Sequence, residues 1–188
     1  MSVFRTVASE HRYRGFSSVR VDTVEGPGGR FTREVVEHPD AVAVVALDSA
    51  GRVALVRQFR QSLGHDLLEI PAGTLDVDGE LPDAAAHREL AEEVGLAADV
   101  LIPLGRICNS AGWSDEVTTL FLALSTRPVE RPDGFTLADE EATMTIEWWP
   151  LDDLVTEVLS GAIEDAKTAV GALRAHAALE AGAGDAVT

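Results

Sequence analysis

A chain of 188 residues, 46% apolar and 25% charged, is long enough to bury one real core and has the make-up of an ordinary globular domain. Its net charge of −17 argues against a surface for nucleic acid or anionic membrane, because phosphate-rich partners require Lys and Arg. The single cysteine, Cys108, rules out an intrachain disulfide, and neither a signal-like opening nor a long apolar run is present, so a cytoplasmic protein is expected, with Cys108 as a small buried apolar side chain.

In chain order, Val19 to Val24 and Phe31 to Glu37 read as two strands around the turn sequence EGPGGR, an N-terminal β-hairpin within residues 1–40. Arginines are concentrated here: Arg5, Arg12, Arg14, Arg20, Arg30 and Arg33 stand against four acids up to Val36. The stretches AVAVVALD (41–48) and RVALVRQF (52–59) flank SAG and predict a second hairpin, and their near-continuous apolar runs predict strands covered on both faces. LLEI (67–70) predicts a short buried strand that stops at Pro71. A helix follows, with Pro82 in its first turn and Gly95 closing it. Val117 to Leu124 and Met144 to Trp149 predict strands, the latter with one of Trp148 and Trp149 in the core. Leu151 to Leu159 and Glu164 to Leu179 predict helices, and residues 181–188 a disordered tail. The whole predicts an α/β domain over residues 41–180, a sandwich and not a strict βαβ array.

The helix after Leu81 breaks two local rules. Glu89 and Glu93 stack at i,i+4, Glu92 lies beside them, and all three sit where the helix dipole is negative. On a wheel of about 100° per residue, Ala86, Leu90 and Val94 share the core face, and Glu89 and Glu93 fall about 40° apart on a face expected to meet solvent. An acidic solvated surface, eased by an Arg88–Glu92 pair, is the plain alternative. Two carboxylates at this spacing can also close on one hard cation such as Mg²⁺ or Mn²⁺, which turns their repulsion into binding.

Gly73, Glu80 and the run RELAEEVGL (88–96) resemble the Nudix box: a glycine, a gap, Glu, seven residues, then Arg-Glu-aliphatic-x-Glu-Glu-x-Gly-aliphatic. Six residues separate Gly73 from Glu80 where the family pattern has five. Beyond the box, VRQFR and LLEIPAG (56–73), SAGWSDE (110–116) and LADEEATM (137–144) are similar to the ADP-ribose pyrophosphatase branch. That resemblance implies an α/β/α sandwich around a mixed sheet, often dimeric. It also implies hydrolysis of a nucleoside diphosphate derivative with two or three Mg²⁺ or Mn²⁺ ions; ADP-ribose would give AMP and ribose 5-phosphate.

Carried over residue by residue, the resemblance implies Glu89, Glu93, Glu92 and the Ala72 carbonyl as metal ligands, Glu92 alternatively contacting metal-bound water. Glu80 and Arg88 would brace loop and helix. Glu140 would be the general base, with Glu141 as its rival. Arg33 and Arg60, and more weakly Arg57, would contact substrate. Trp113 could stack on a base or ribose, or simply sit in the core or at a rim. Where ADP-ribose-specific relatives usually carry proline after the box, this chain has Ala111, which leaves a nucleotide sugar, a dinucleotide or an oxidised nucleotide as alternative substrates. A non-catalytic ADP-ribose sensor is a third reading, against which the intact RELAEE weighs. The N-terminal hairpin is expected in a homodimer interface, since this region is exchanged between subunits in the family. His11, His38, His65, His87 and His176 show no metal-like spacing.

Overall fold

The computed structural model describes residues 2–183, the side chain of Asp139 excepted. The expected tail therefore falls outside the described residues from 184 onward. The described residues form two compact units, 2–40 with 108–117, and 41–107 with 118–183.

The first unit is built on a three-stranded antiparallel sheet of β1 (Arg5–Arg14), β2 (Ser18–Gly26) and β3 (Gly29–Glu37), in that order. The expected hairpin is β2–β3, closed by the Gly26–Gly29 pair with Gly29 at φ 103°. The additional strand β1 carries few apolar residues and lies exposed along nearly its whole length, so neither alternation nor an apolar run announces it. Within this unit the Val36 N–H donates to the Trp113 carbonyl at 2.7 Å, and the Asp115 N–H donates to the Val36 carbonyl at 3.2 Å.

In the second unit, β5 (Arg52–Arg60) lies between β10 (Thr145–Pro150) and β6 (His65–Glu69). A second sheet runs β7 (Ala72–Thr74), β4 (Ala41–Ala46), β9 (Val117–Pro128), β8 (Leu96–Cys108). It is mixed, because β4 pairs antiparallel with β7 and parallel with β9. The expected second hairpin is corrected here. The turn between them closes antiparallel, with the bridge Leu47–Val53 and the Asp48 N–H donating to the Arg52 carbonyl at 2.9 Å, but β4 and β5 themselves run in different sheets.

Strand alternation sorts the apolar residues into two cores. Val42, Val44, Ala46, Ala54, Val56, Phe121 and Ala123 pack with Ala85, Ala86, Leu90 and Val94 of α1 (Pro82–Val94). Ala43, Val45, Val53, Leu55, Leu120 and Leu122 pack with Leu151 and Leu154 of α2 (Leu151–Ser160) and Ala172 and Ala175 of α3 (Ala166–Glu180). Helices therefore cover both faces, which is the α/β/α arrangement, and the double coverage is why β4 reads as a continuous apolar run. Trp148 packs against the first core and Trp149 against the second, both partly buried, so neither is a fully internal side chain. Cys108 is exposed, contrary to the buried role expected of it: it ends β8 at the margin of the sheet. Among the described residues no helix is long and apolar enough to cross a membrane.

Candidate active site

α1 places the acids. Pro82 starts it with a preset backbone angle, and Gly95 ends it at φ 63°, returning its N–H to the Leu90 carbonyl. The apolar face anchors the helix on the sheet and brings Glu89 and Glu93 in with it. Their face is not solvent-facing as the wheel suggested: Glu93 is 4% exposed and Glu89 8%. The reason is β7, which runs beside α1 and covers them. The Ala72 N–H donates to Glu93 Oε2 at 2.9 Å. At Gly73 a Cβ would fall on the Glu89 carboxylate, so only glycine leaves room for it.

Arg88 gathers the remaining acids. Its Nε and Nη2 donate to the two oxygens of Glu80 at 3.0 and 2.8 Å, and its Nη1 to Glu89 at 2.6 Å and Glu92 at 3.1 Å. The fork ties the loop before α1 to the helix. Glu80 is accordingly held below the usual carboxylate range, chiefly by its hydrogen bonds from Arg88. Burial pushes Glu89 up to about 7, against the opposing pull of Arg88. Burial pushes Glu93 up to about 8, the Ala72 N–H opposing, with Glu89 and Glu141 raising it further.

Two buried carboxylates, Glu89 sharing the Arg88 guanidinium with Glu80 and Glu92, and Glu93 bonded to a backbone N–H, over a cradle that a Cβ would fill, suit a hard divalent cation. Among the described residues no three acids, histidines or cysteines converge into a complete cage. An ion here would take Glu89 and Glu93 as its core and complete its shell with water and substrate oxygens, as Mg²⁺ commonly does.

The other expected site residues separate by position. Arg60, on the α1 side of β5, lies within electrostatic reach of Glu93 and donates from Nε and Nη2 to the two oxygens of buried Glu69, both at 2.7 Å. Arg57 leaves β5 from the opposite face, where it donates to Glu147 at 2.6 Å, and is not brought to the carboxylates. The LADEEATM segment is a short 3₁₀ helix, Asp139–Thr143, packed on β5. Glu141 lies within electrostatic reach of both Glu89 and Glu93, whereas Glu140 is exposed and accepts from the Gln61 N–H at 3.1 Å.

Arg33 and Trp113 belong to the first unit. Arg5, Arg12, Arg20 and Arg30 there pair with acids of the same unit. Arg33 instead stacks over Phe31 at 4.4 Å and donates to the Thr32 carbonyl, without an ion pair among the described residues. Trp113 is exposed, so the core alternative for it is set aside.

Sequence reasoning missed the partners of Arg60. Lys167 donates to Glu69 at 3.2 Å and to Asp165 at 2.7 Å, and Asp165 caps α3 by accepting from the Thr168 N–H. The available clue was Glu69 itself, a charge inside the apolar run LLEI, which requires a buried counter-ion.

A carboxylate-bearing helix laid against a glycine strand, in an α/β/α sandwich, is the architecture of a metal-assisted hydrolase of the Nudix type. Residues 37–170 match the NUDIX domain. The chain belongs to the Nudix family and is a Nudix hydrolase, a family that generally works with divalent metal ions. It is 43% identical to the ADP-ribose pyrophosphatase of Mycobacterium tuberculosis, over 93% of this chain and 84% of that protein. It is 37% identical to the ADP-ribose pyrophosphatase of Bacillus subtilis, over 88% of each. It is also 33% identical to the methanol dehydrogenase activator of Bacillus methanolicus, over 88% of this chain and 89% of that one. A solved ADP compounds hydrolase shares the fold, with a TM-score of 0.82 over 97% of both chains at 21% identity.

Proposed function

We propose that this protein hydrolyses the pyrophosphate bond of ADP-ribose, water entering at phosphorus and AMP and ribose 5-phosphate leaving. The observation that carries the reading is the buried Glu89 and Glu93 pair over Gly73, and the substrate is suggested by the names of the relatives in Mycobacterium and Bacillus. Glu89 and Glu93, with Glu92 and the Ala72 carbonyl, would hold Mg²⁺ or Mn²⁺, two or three ions by the family resemblance. Such ions supply positive charge to the pyrophosphate and acidity to the attacking water.

This chain's own residues do the rest. Arg88 keeps Glu89 and Glu92 in place and joins them to the loop at Glu80. Arg60 keeps one guanidinium arm beyond its two bonds to Glu69, and that arm is available for a phosphate oxygen. The 3₁₀ helix supplies the base that takes the water's proton: Glu140 is favoured by the resemblance and Glu141 by its reach to Glu89 and Glu93. For Arg33 and Trp113 as substrate contacts, the support is the resemblance and their exposure; Arg57 has only the resemblance.

A second reading, hydrolysis of another nucleoside diphosphate derivative, is favoured by Ala111 at the usual proline position and by 29% identity to a GDP-mannose pyrophosphatase of Yersinia pestis. A panel of ADP-ribose, nucleotide sugars, dinucleotides and oxidised nucleoside triphosphates, with Mg²⁺ and Mn²⁺, decides between them. Preferred release of AMP and ribose 5-phosphate from ADP-ribose is expected. A higher kcat/KM on GDP-mannose overturns the substrate assignment, and no turnover on any of them, with ADP-ribose still bound, makes the protein a sensor. We further infer a homodimer, supported by the exposed sheet of the N-terminal unit, and a cytoplasmic setting, supported by the single unpaired thiol of Cys108.

A further inference from the structure

Helix α1 has no basic residue in its last turn, although Glu89, Glu92 and Glu93 crowd that end. The negative end of the helix dipole adds to their charge. Compensation comes from outside the helix. Arg131 donates from Nε to the Glu92 carbonyl at 2.8 Å and from Nη2 to the Glu93 carbonyl at 2.9 Å. The same segment is tied down once more, where the Val129 N–H donates to the Gly95 carbonyl at 2.9 Å. Gly95 is left-handed, and a Cβ there would stand 3.3 Å from the Val129 carbonyl oxygen, so the segment lies close along the helix end.

Two facts make this more than a generic helix cap. The two carbonyls held by the fork belong to the residues whose side chains are the candidate ligands. The chain that carries Arg131 also runs directly from β9 to the 3₁₀ helix with Glu140 and Glu141.

We propose that Arg131 is a positioning residue of this site: its guanidinium fork fixes the backbone of the last turn of α1, and so the aim of the Glu92 and Glu93 carboxylates, and anchors the connection that presents Glu140 and Glu141. The inference rests on the reading that Glu89 and Glu93 hold a divalent ion. Arg131 acts through the backbone; its two hydrogen bonds go to main-chain oxygens and not to the carboxylates. Charge-assisted bonds from one planar fork hold two successive carbonyls in a fixed relation, which an ammonium group cannot reproduce.

The test is Mn²⁺ binding, read from the electron paramagnetic resonance signal of free Mn²⁺. It uses wild type, Arg131→Ala, Arg131→Lys and Glu93→Gln, at a temperature where circular dichroism shows each folded. Arg131→Ala is expected to weaken Mn²⁺ binding roughly tenfold, as loss of an outer partner of a metal ligand does. Arg131→Lys is expected to fall between Ala and wild type, and kcat to fall with the affinity. A cap that matters only for stability would lower Tm and leave the Mn²⁺ affinity of the folded protein unchanged; that result overturns the proposal. Should the alanine variant not fold, wild-type affinity in Arg131→Lys overturns the fork geometry. Wild-type affinity in Glu93→Gln overturns the metal reading itself, and with it this proposal. Weakened binding in Glu93→Gln beside unchanged binding in Arg131→Ala overturns this proposal alone.

Discussion

Glu93 is a buried acid whose ionised form is disfavoured in the fold, and this has a definite sign for stability. Its pKa is raised from the ordinary 4.5 to about 8, and that of Glu89 to about 7, burial being the main cause in both. A raised carboxylate pKa means that the folded state binds the proton more tightly. The stability it contributes is fully present below the unfolded value of 4.5 and is lost as pH rises through 7 to 8. In chelator, the wild-type Tm is therefore expected to fall between about pH 5 and pH 8.5, and Mg²⁺ to reduce the fall by matching the charge. Glu93→Gln cannot ionise, so it should keep its fold, show a shallower decline in chelator and lose most metal-dependent turnover. Scanning fluorimetry across that range checks the sign: a chelated wild type whose Tm is flat, or rises with pH, refutes the account. Near wild-type turnover by Glu93→Gln would remove Glu93 from the metal site. Gly73 makes a separate case. Its backbone is not left-handed, so alanine costs little there in conformation, but the added Cβ meets the Glu89 carboxylate. Gly73→Ala is expected to stay folded by circular dichroism and lose about 100-fold in kcat/KM, the scale of an ångström's misplacement of a reacting group; full activity would show that Glu89 need not stay where it lies.

At the scale of elements, the candidate site draws on α1, β5, β6, β7 and the 3₁₀ turn, and they are not equally separable. The 3₁₀ turn is exposed, so Glu140→Gln is expected to leave Tm alone and lower kcat by about 100-fold or more with little change in KM, as for a general base. Steady-state kinetics on both variants assigns the proton, since a larger loss in Glu141→Gln moves the role to its neighbour. Arg60 is different, because it also neutralises Glu69, whose side chain is 1% exposed. Arg60→Ala should cost on the order of 2 kcal/mol, less than the full buried-pair range because the guanidinium stays about a third exposed. Lys167→Met should lower Tm too while sparing substrate contact. A Tm drop in both but a KM rise only in Arg60→Ala separates the two duties of Arg60; equal KM in both would deny it a substrate role. How legible these elements were follows from the same physics. α1 was readable because its acids violate helix rules in a fixed pattern, and β4 because both its faces are buried. β1 was not, since its polar sequence answers to no core, and β8 was not, since Pro103 and Gly105 interrupt its pattern. The Arg131 clamp left no trace beyond the missing base in the last turn of α1.

For the whole molecule, the unsettled surface is the N-terminal sheet. β1 is an edge strand, exposed at nearly every position, and Phe4, Tyr13 and Phe16 in and beside it are 52%, 61% and 67% exposed. A long edge with exposed aromatics is a pairing hazard that folded proteins cover or blunt. Four of the six local arginines, Arg5, Arg12, Arg20 and Arg30, are paired with acids within the unit, so little of their charge is left to blunt it. A second copy of the chain is the occupant expected here. Light scattering on the full-length protein should give twice the 20.0 kDa chain mass. Deleting residues 1–36 removes β1, β2 and nearly all of β3. The same cut strips the 113–115 segment of its backbone partner Val36. The truncated protein is expected to be monomeric and impaired on ADP-ribose. The point substitution Arg33→Ala should raise KM without changing mass, because Arg33 makes no ion pair within the sheet among the described residues. A truncated protein that stays dimeric and active would show that the N-terminal unit builds neither the interface nor the site. A full-length monomer that turns over normally would leave the dimer without a role.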